Sequence, residues 1–295
     1  MANYSEGRAP ARSKRRRMST AAILVITVII AVICVAGTFL GIYISGIRYT
    51  KIDTPGGGFV KFFGKVDDLG APYKGKLYYS DGTTAEIDMS SNTVTYSNGD
   101  IYVGELKKLL KDGEGKLTFA TGDVYEGAFS GDAITGTGKF SFAGGDTYEG
   151  ALINGVKEGY GTYIWADGSM YIGDFRGDKK EGTGKYMWAD GSSYEGQYKD
   201  DLKNGRGVYK FSNGDTYEGD FESDVRTGIG KYTWANGEIY EGQFAGNMMN
   251  GTGKYTWPQG RVYEGVFENG KIVRTDGGEN TSPETTDAET TGAGF

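Results

Sequence analysis

The chain of 295 residues contains no histidine. It therefore lacks the residue most often used for acid–base catalysis near neutral pH, which is also the commonest metal ligand. A single cysteine, Cys34, lies inside an apolar run. That excludes an intrachain disulfide and a thiolate metal cluster, and it fits a disulfide-stapled secreted domain poorly. Proline is scarce, at 5 residues, whereas glycine reaches 51. So much glycine without a Gly-X-Y period would ordinarily mark low complexity. Here 22 tyrosines and 14 phenylalanines supply large groups to bury, so the glycines must be positional. Basic charge is concentrated at the start. Residues 1–47 carry six Lys and Arg against Glu6, a net +5, which leaves −12 on residues 48–295 out of the total of −7. An acidic body argues against nucleic acid, and against anionic lipid as the main partner.

Residues 21–47 carry no charge. At about 1.5 Å per residue they reach roughly 40 Å as a helix, enough to cross a bilayer with tilt. The cluster Lys14-Arg15-Arg16-Arg17 precedes the run, and only Arg48 and Lys51 follow it closely. The positive-inside rule then places residues 1–20 in the cytoplasm and the remainder outside, as a single-pass protein of the cell membrane. A cleaved signal peptide is the competing reading. Its apolar region would be shorter, and the segment around Val35-Ala36-Gly37 makes a poor cleavage site. Residues 48–58, with Pro55 and Gly56-Gly57-Gly58, read as a flexible linker. Residues 274–295 read as a disordered acidic tail. Asn250-Gly251-Thr252 and Asn280-Thr281-Ser282 match the N-glycosylation pattern, which short sequences also match by chance.

Eight tyrosines stand 23 residues apart, from Tyr102 and Tyr125 to Tyr240 and Tyr263. A fixed period of this size denotes a repeat architecture. Each tyrosine is followed by glycine two residues on and an apolar residue two beyond that, as in Tyr240, Gly242 and Phe244. A second half follows with the same spacing, as in Gly251, Gly253, Tyr255 and Trp257, and a turn such as Ala235-Asn236-Gly237 closes the unit. A spacing of two puts the named residues on one face of a strand and the polar ones on the other. Each repeat is thus a β-hairpin, and hairpins joined in series make an all-β, elongated, single-layer antiparallel sheet plus one N-terminal transmembrane helix. About 17 strands at about 4.8 Å spacing give a rod of roughly 80 Å. With Trp234 opposite Tyr240, the expected register pairs Tyr232 with Gly242 and Gly230 with Phe244, so that cross-strand rings cover glycines. Residues 59–101 hold the pattern loosely through Phe62, Gly64, Gly75, Leu77 and Tyr79. The stretch from Ala85 to Ile101 is six residues short, a loss expected from the mid-repeat loop. These units read as a cap before the array at 102–273.

The string YEGDFESDVRTGIGKYTWANG at 217–237, like YIGDFRGDKKEGTGKYMWADG at 171–191, resembles the MORN repeat (membrane occupation and recognition nexus). The resemblance covers about 102–270 well. It implies a twisted sheet of hairpins with a grooved face, and scaffolding, tethering or membrane-associated binding rather than catalysis.

The glutamate column (Glu126, Glu149, Glu195, Glu218, Glu241, Glu264) and the lysine column (Lys116, Lys139, Lys185, Lys231, Lys254) fall on the polar face, where they read as a solvated charge ladder rather than a catalytic pair. Asp132, Asp178, Asp200, Asp201 and Asp224 lie in the mid-repeat loops without a recognised calcium-ligand spacing. Arg176-Gly177-Asp178 is an RGD triplet at a loop tip. No catalytic residue, cofactor or metal is expected. The candidate site is a partner-binding aromatic row of Trp165, Trp188, Phe211, Trp234 and Trp257, because a single-layer sheet cannot bury both faces and exposed ring patches mark partner surfaces. The expected function is a non-catalytic, membrane-anchored scaffold that binds a protein partner or a second copy of itself. A glycan or wall-polymer binder using the same row is the alternative, and an enzyme with an unrecognised site is a more distant one.

Overall fold

A computed structural model of the protein describes residues 20–54 and 57–273. The basic segment up to residue 19 and the acidic tail at 274–295 lie outside the described residues. Among those described, one helix, α1 (Thr20–Ile44), precedes 21 strands joined in a single antiparallel sheet. Each strand pairs with the next in chain order. The series starts with β1 (Ile47–Asp53), β2 (Phe59–Val66) and β3 (Pro72–Tyr79) and ends with the two-residue strand Lys271–Ile272. The count exceeds the 17 expected, because residues 47–96 form five strands and the last half-repeat gains a short partner.

The tyrosine column is the core. Tyr102, Tyr125, Tyr148, Tyr171, Tyr194, Tyr217 and Tyr240 are at most 1% exposed. Each ring lies along its own strand, over the glycine two residues on and over the cross-strand partner of that glycine. A Cβ on Gly242 would stand 2.5 Å from the Tyr240 hydroxyl and 2.5 Å from Gly253 Cα. The hydroxyl then donates to the carbonyl three residues ahead, as from Tyr148 to Ala151 at 2.8 Å and from Tyr240 to Gln243 at 2.9 Å. Only glycine lets a ring and two backbones approach this closely. The Phe column packs edge-on between successive tyrosines, with Phe221 at 5.1 Å from Tyr194 and 5.2 Å from Tyr217. Such T-shaped contacts are favourable beyond the area they bury.

The expected register is corrected. Tyr232 pairs with Tyr240, Gly230 with Gly242 and Gly228 with Phe244. The turn explains the difference. Trp234 N–H donates to Glu238 O and Gly237 N–H donates to Trp234 O, both at 2.9 Å. Trp234 therefore closes the turn against Glu238 instead of standing opposite Tyr240. Gly237, at φ 90°, supplies the left-handed residue that this turn requires. Glycines are covered by rings as expected, but by the tyrosine of their own hairpin.

Two further expectations change. The linker at 48–58 is not a free tether over its first half, because Ile47–Asp53 pairs with Phe59–Lys65 along its whole length. In the short unit, the missing residues come from the strands. β4 (Thr84–Asp88) and β5 (Thr93–Tyr96) lose the glycine pair, and Ile87 faces Val94 in its place. Upstream, the Phe62 ring takes the place of a tyrosine over Gly64 and Gly75. Helix α1 ends at Ile44, three residues before the expected boundary, where a turn at Ser45-Gly46 leads into β1. Its described apolar side chains are exposed, and the span Thr27–Ile44 is long and apolar enough to cross a membrane.

Candidate binding face

On the tyrosine face, the second strands of the hairpins and their turns carry a continuous line of aromatic rings. Thirteen rings from Phe119 to Trp257 follow one another, with neighbouring centroids 4.4 to 6.2 Å apart. Trp165, Trp188, Phe211, Trp234 and Trp257 all lie in this line, each half-buried and each at the first position of its turn. They alternate with Tyr163, Tyr186, Tyr209, Tyr232 and Tyr255. The rings lean on one another like tiles: Tyr186 sits between Trp165 and Trp188 at interplanar angles of 36° and 38°. Among the described residues, the Trp257 indole nitrogen is buried with no acceptor.

Between this line and the tyrosine core runs a column of cations that the sequence reading did not isolate. Lys157, Lys180, Lys203 and Arg226 recur at 23 residues. Lys203 Nζ lies over the rings of Trp188, Tyr194 and Tyr209 at 5.5 to 5.9 Å. The Arg226 guanidinium lies over Phe211, Tyr217 and Tyr232 at 5.3 to 5.6 Å. Rings attract cations through the electron density on their faces. Burial among Tyr171, Tyr186 and Tyr198 pulls the pKa of Lys180 down.

A latch from the next repeat holds each cation. Asp224 Oδ1 accepts from Lys203 N–H at 2.9 Å and pairs with Lys203 Nζ at 3.2 Å, while Asp224 N–H donates to Lys203 O at 2.9 Å. Asp178 does the same for Lys157, and Asp132 for Lys111. Asn247 serves Arg226, accepting from its N–H at 2.9 Å. Where the column is apolar, at Ile134 and Met249, the latch position is Gly155 or Gly270 and only the backbone bond remains. The latch residues sit at φ 68 to 81°, a region that Asp, Asn and Gly enter most readily. The pairing of cation with Asp at i+21 was visible in the sequence as a coupled change from repeat to repeat. The Asp178 carboxylate of the RGD triplet is thus engaged with Lys157.

The latch makes a prediction. Asp224→Ala removes two interactions with a nearly buried lysine and places alanine at positive φ. It is expected to cost about 2 kcal/mol in a denaturant melt. Asp224→Asn, which keeps the bond seen at Asn247, is expected to lose distinctly less. Equal midpoints for Ala, Asn and wild type would remove the latch from the account.

A second set of cross-repeat bonds runs along the turns. Asp215, 7% exposed, accepts from Ala235 N–H at 2.8 Å and from the Tyr232 hydroxyl at 2.6 Å. Asp146 repeats this with Ala166 and Tyr163. These bonds fix the turns that carry the tryptophans. The opposite face is a charge ladder, with Lys185–Glu195, Lys231–Glu241 and Lys254–Glu264 at 3.3 to 3.4 Å and all six side chains well exposed. Exposed pairs of this kind add little stability each and keep the face hydrated. The hollow lined by Glu218, Lys231 and Glu241 belongs to this face and is open to solvent.

A family model described as MORN repeat matches seven consecutive stretches: residues 102–124, 125–147, 148–170, 171–193, 194–216, 217–239 and 240–260. No curated protein matches the chain. Among solved structures, the chain is similar to the SAS-4 (dCPAP) TCP domain in complex with a proline-rich motif of Ana2 (dSTIL) of Drosophila melanogaster. The identity is 14% and the TM-score 0.28, over 69% of this chain and 96% of that one. It is also similar to a catalytically inactive virginiamycin B lyase from Staphylococcus aureus with quinupristin, at 11% identity and TM-score 0.17, over 75% and 84% of the two chains. These two likenesses are too slight to carry an argument about function.

Proposed function

The chain belongs to the MORN repeat family, and from that premise we propose that it is a non-catalytic, membrane-anchored scaffold whose repeats bind a protein partner along the line of half-buried rings. The observation that carries this reading is the unbroken run of rings on a sheet that, among the described residues, no second layer covers. Half-buried aromatics that are held rigidly offer contact area at little entropic cost. The cations and latches behind the rings fix them before a partner arrives. Helix α1 is the anchor in this reading. The basic cluster at Lys14–Arg17 orients the chain with its start in the cytoplasm and its repeats outside the cell membrane.

A protein partner suits the face better than a glycan does. Sugars stack on open ring faces, whereas the rings from Tyr163 to Trp257 lie tilted against one another with centroids 4.4 to 5.7 Å apart. A second copy of the array satisfies the same requirement as a foreign protein.

The test uses intact cells and a membrane-impermeant cross-linker. Wild type is expected to capture a defined partner or a second copy, and Trp188→Ala/Trp234→Ala, with its sheet signal retained, is expected to lose at least most of that capture. Equal capture by both chains would sink the aromatic face. Capture achieved only with a permeant reagent would reverse the topology. Saturable binding of purified wall polymer, lost in the double variant, would favour the glycan reading.

A further inference from the structure

The charge ladder of the outward face fails at the membrane-proximal end, and it fails in one direction. In the repeats, lysine on one strand faces glutamate on the next. In the first three strands, Lys51 faces Lys61 and Lys65 faces Lys74 directly across the sheet. Tyr49 faces Phe63 between these pairs, and Phe63 faces Lys76 in turn. All these residues alternate with the buried Val60, Phe62 and Leu77, so they share the outward face. Tyr49 is 61% exposed and Phe63 45%.

Like charges directly opposite one another destabilise a sheet. Three of the lysines have intramolecular partners: Lys51 with Asp53, Lys74 with Asp88 and Lys76 with Glu86. Among the described residues, Lys61 and Lys65 have no acidic partner. Residues 48–79 hold six basic and three acidic residues, while residues 48–295 as a whole are net −12. A basic, aromatic face has therefore been kept on an otherwise acidic rod.

Its position says what it meets. Only Ser45 and Gly46 separate α1 from β1, and two residues span about 7 Å at most. That is about the thickness of one headgroup layer. The junction is also braced. Val66 N–H donates to Gly46 O at 3.1 Å, Arg48 Nη1 donates to Tyr43 O at 2.9 Å, and the Arg48 guanidinium lies 4.0 Å over the Tyr43 ring.

We propose that the outward face of β1, β2 and β3 is a docking surface for the anionic lipid headgroups of the bilayer that holds α1. Headgroup phosphates supply the counter-charge that Lys61 and Lys65 lack, and Tyr49 and Phe63 enter the interfacial layer that aromatic side chains favour. The acidic repeats beyond are repelled by the same headgroups. The basic foot thus fixes how the rod stands on the membrane. The proposal rests on α1 spanning the membrane, and it is independent of which partner the aromatic line binds.

The test reconstitutes the full chain in vesicles of phosphatidylcholine alone and of phosphatidylcholine with phosphatidylglycerol. Amine acetylation is followed by mass spectrometry at each lysine. Lys61 and Lys65 are expected to react several-fold more slowly in the anionic vesicles, with the difference shrinking at high salt, while Lys231 and Lys254 react alike in both. Lys65→Glu restores a repeat-type pair with Lys74. It is expected to keep the fold and to abolish the lipid-dependent protection of Lys61. Equal rates at Lys61 and Lys65 in the two vesicle types, with the chain still resistant to carbonate extraction, would overturn the docking surface alone. Release of the chain by carbonate would remove the anchor, and this inference with it.

Discussion

Gly242→Val is expected to destabilise the protein by about 3 kcal/mol, the upper end of what overpacking usually costs. Every atom that the new side chain would meet is fixed. Its Cβ would lie 2.5 Å from Gly253 Cα, 2.5 Å from the Tyr240 hydroxyl and 2.7 Å from Thr252 O. Two of those three are backbone. The third belongs to a ring that is fully buried, donates to Gln243 O, and packs edge-on against Phe244 and Phe267 at 5.2 and 4.9 Å. The ring must leave, and the strand pair must part as well. Arrays of repeats lose stability locally, because each unit touches only its neighbours. Amide exchange should therefore accelerate in Ile239–Glu268 well before it does so near Tyr102. Gly168→Ala is the matched control. Nothing stands within 4 Å of a Cβ there, and the only cost is a left-handed φ of 89°, expected to be about 1 kcal/mol. A denaturant midpoint for Gly242→Val equal to that of wild type would show that the ring does not lie on the glycine pair.

The period of 23, the two strands per unit and the face of each column were legible in the sequence, because glycine and aromatic residues recur at spacings of two. The register was not. It depends on where the turn closes, and a turn that begins at Trp234 or at Ala235 leaves the same alternation of apolar and polar residues. Likewise, the tryptophan row could be read as one column, but its tiling with the tyrosine of the next repeat, as Trp165 with Tyr186, could not, since which rings meet across strands depends on that register. The latches escaped notice for another reason. Each joins Lys203 to Asp224, or Lys157 to Asp178, across the boundary between units, and a reading that aligns units one beneath another compares positions within a unit first. The coupled replacement of Ile134 with Gly155, and of Met249 with Gly270, held the needed signal. The strand at Ile47–Asp53 was hidden by the Pro-Gly-Gly-Gly run after it, which punctuates the chain without excluding a strand before it.

Alkali is expected to unfold the array in one cooperative step. Burial raises the pKa of Tyr102, Tyr148, Tyr217 and Tyr240 to about 12, while an unfolded tyrosine ionises near 10. The neutral phenol is the form favoured by folding. Each of these tyrosines therefore contributes stability that is fully present below pH about 10 and is lost as pH rises from about 10 towards about 12. The losses arise together, because each ring packs against the Phe that also touches the next: Phe221 joins Tyr194 to Tyr217, and Phe244 joins Tyr217 to Tyr240. A phenolate cannot remain over the glycine pair, where its oxygen must donate a proton to a carbonyl such as Gln243 O. Phenolate absorbance from the ladder should thus rise only as the far-ultraviolet sheet signal falls, and both should move to lower pH when urea weakens the fold. Tyr217→Phe keeps the ring and removes the ionisable group. Once its intrinsic cost is measured at neutral pH, that variant should show a smaller loss of stability between neutral pH and pH about 11 than wild type does. A sheet signal that persists after the ladder tyrosines have ionised would mean that water reaches those rings, and the tyrosine column would no longer be the core.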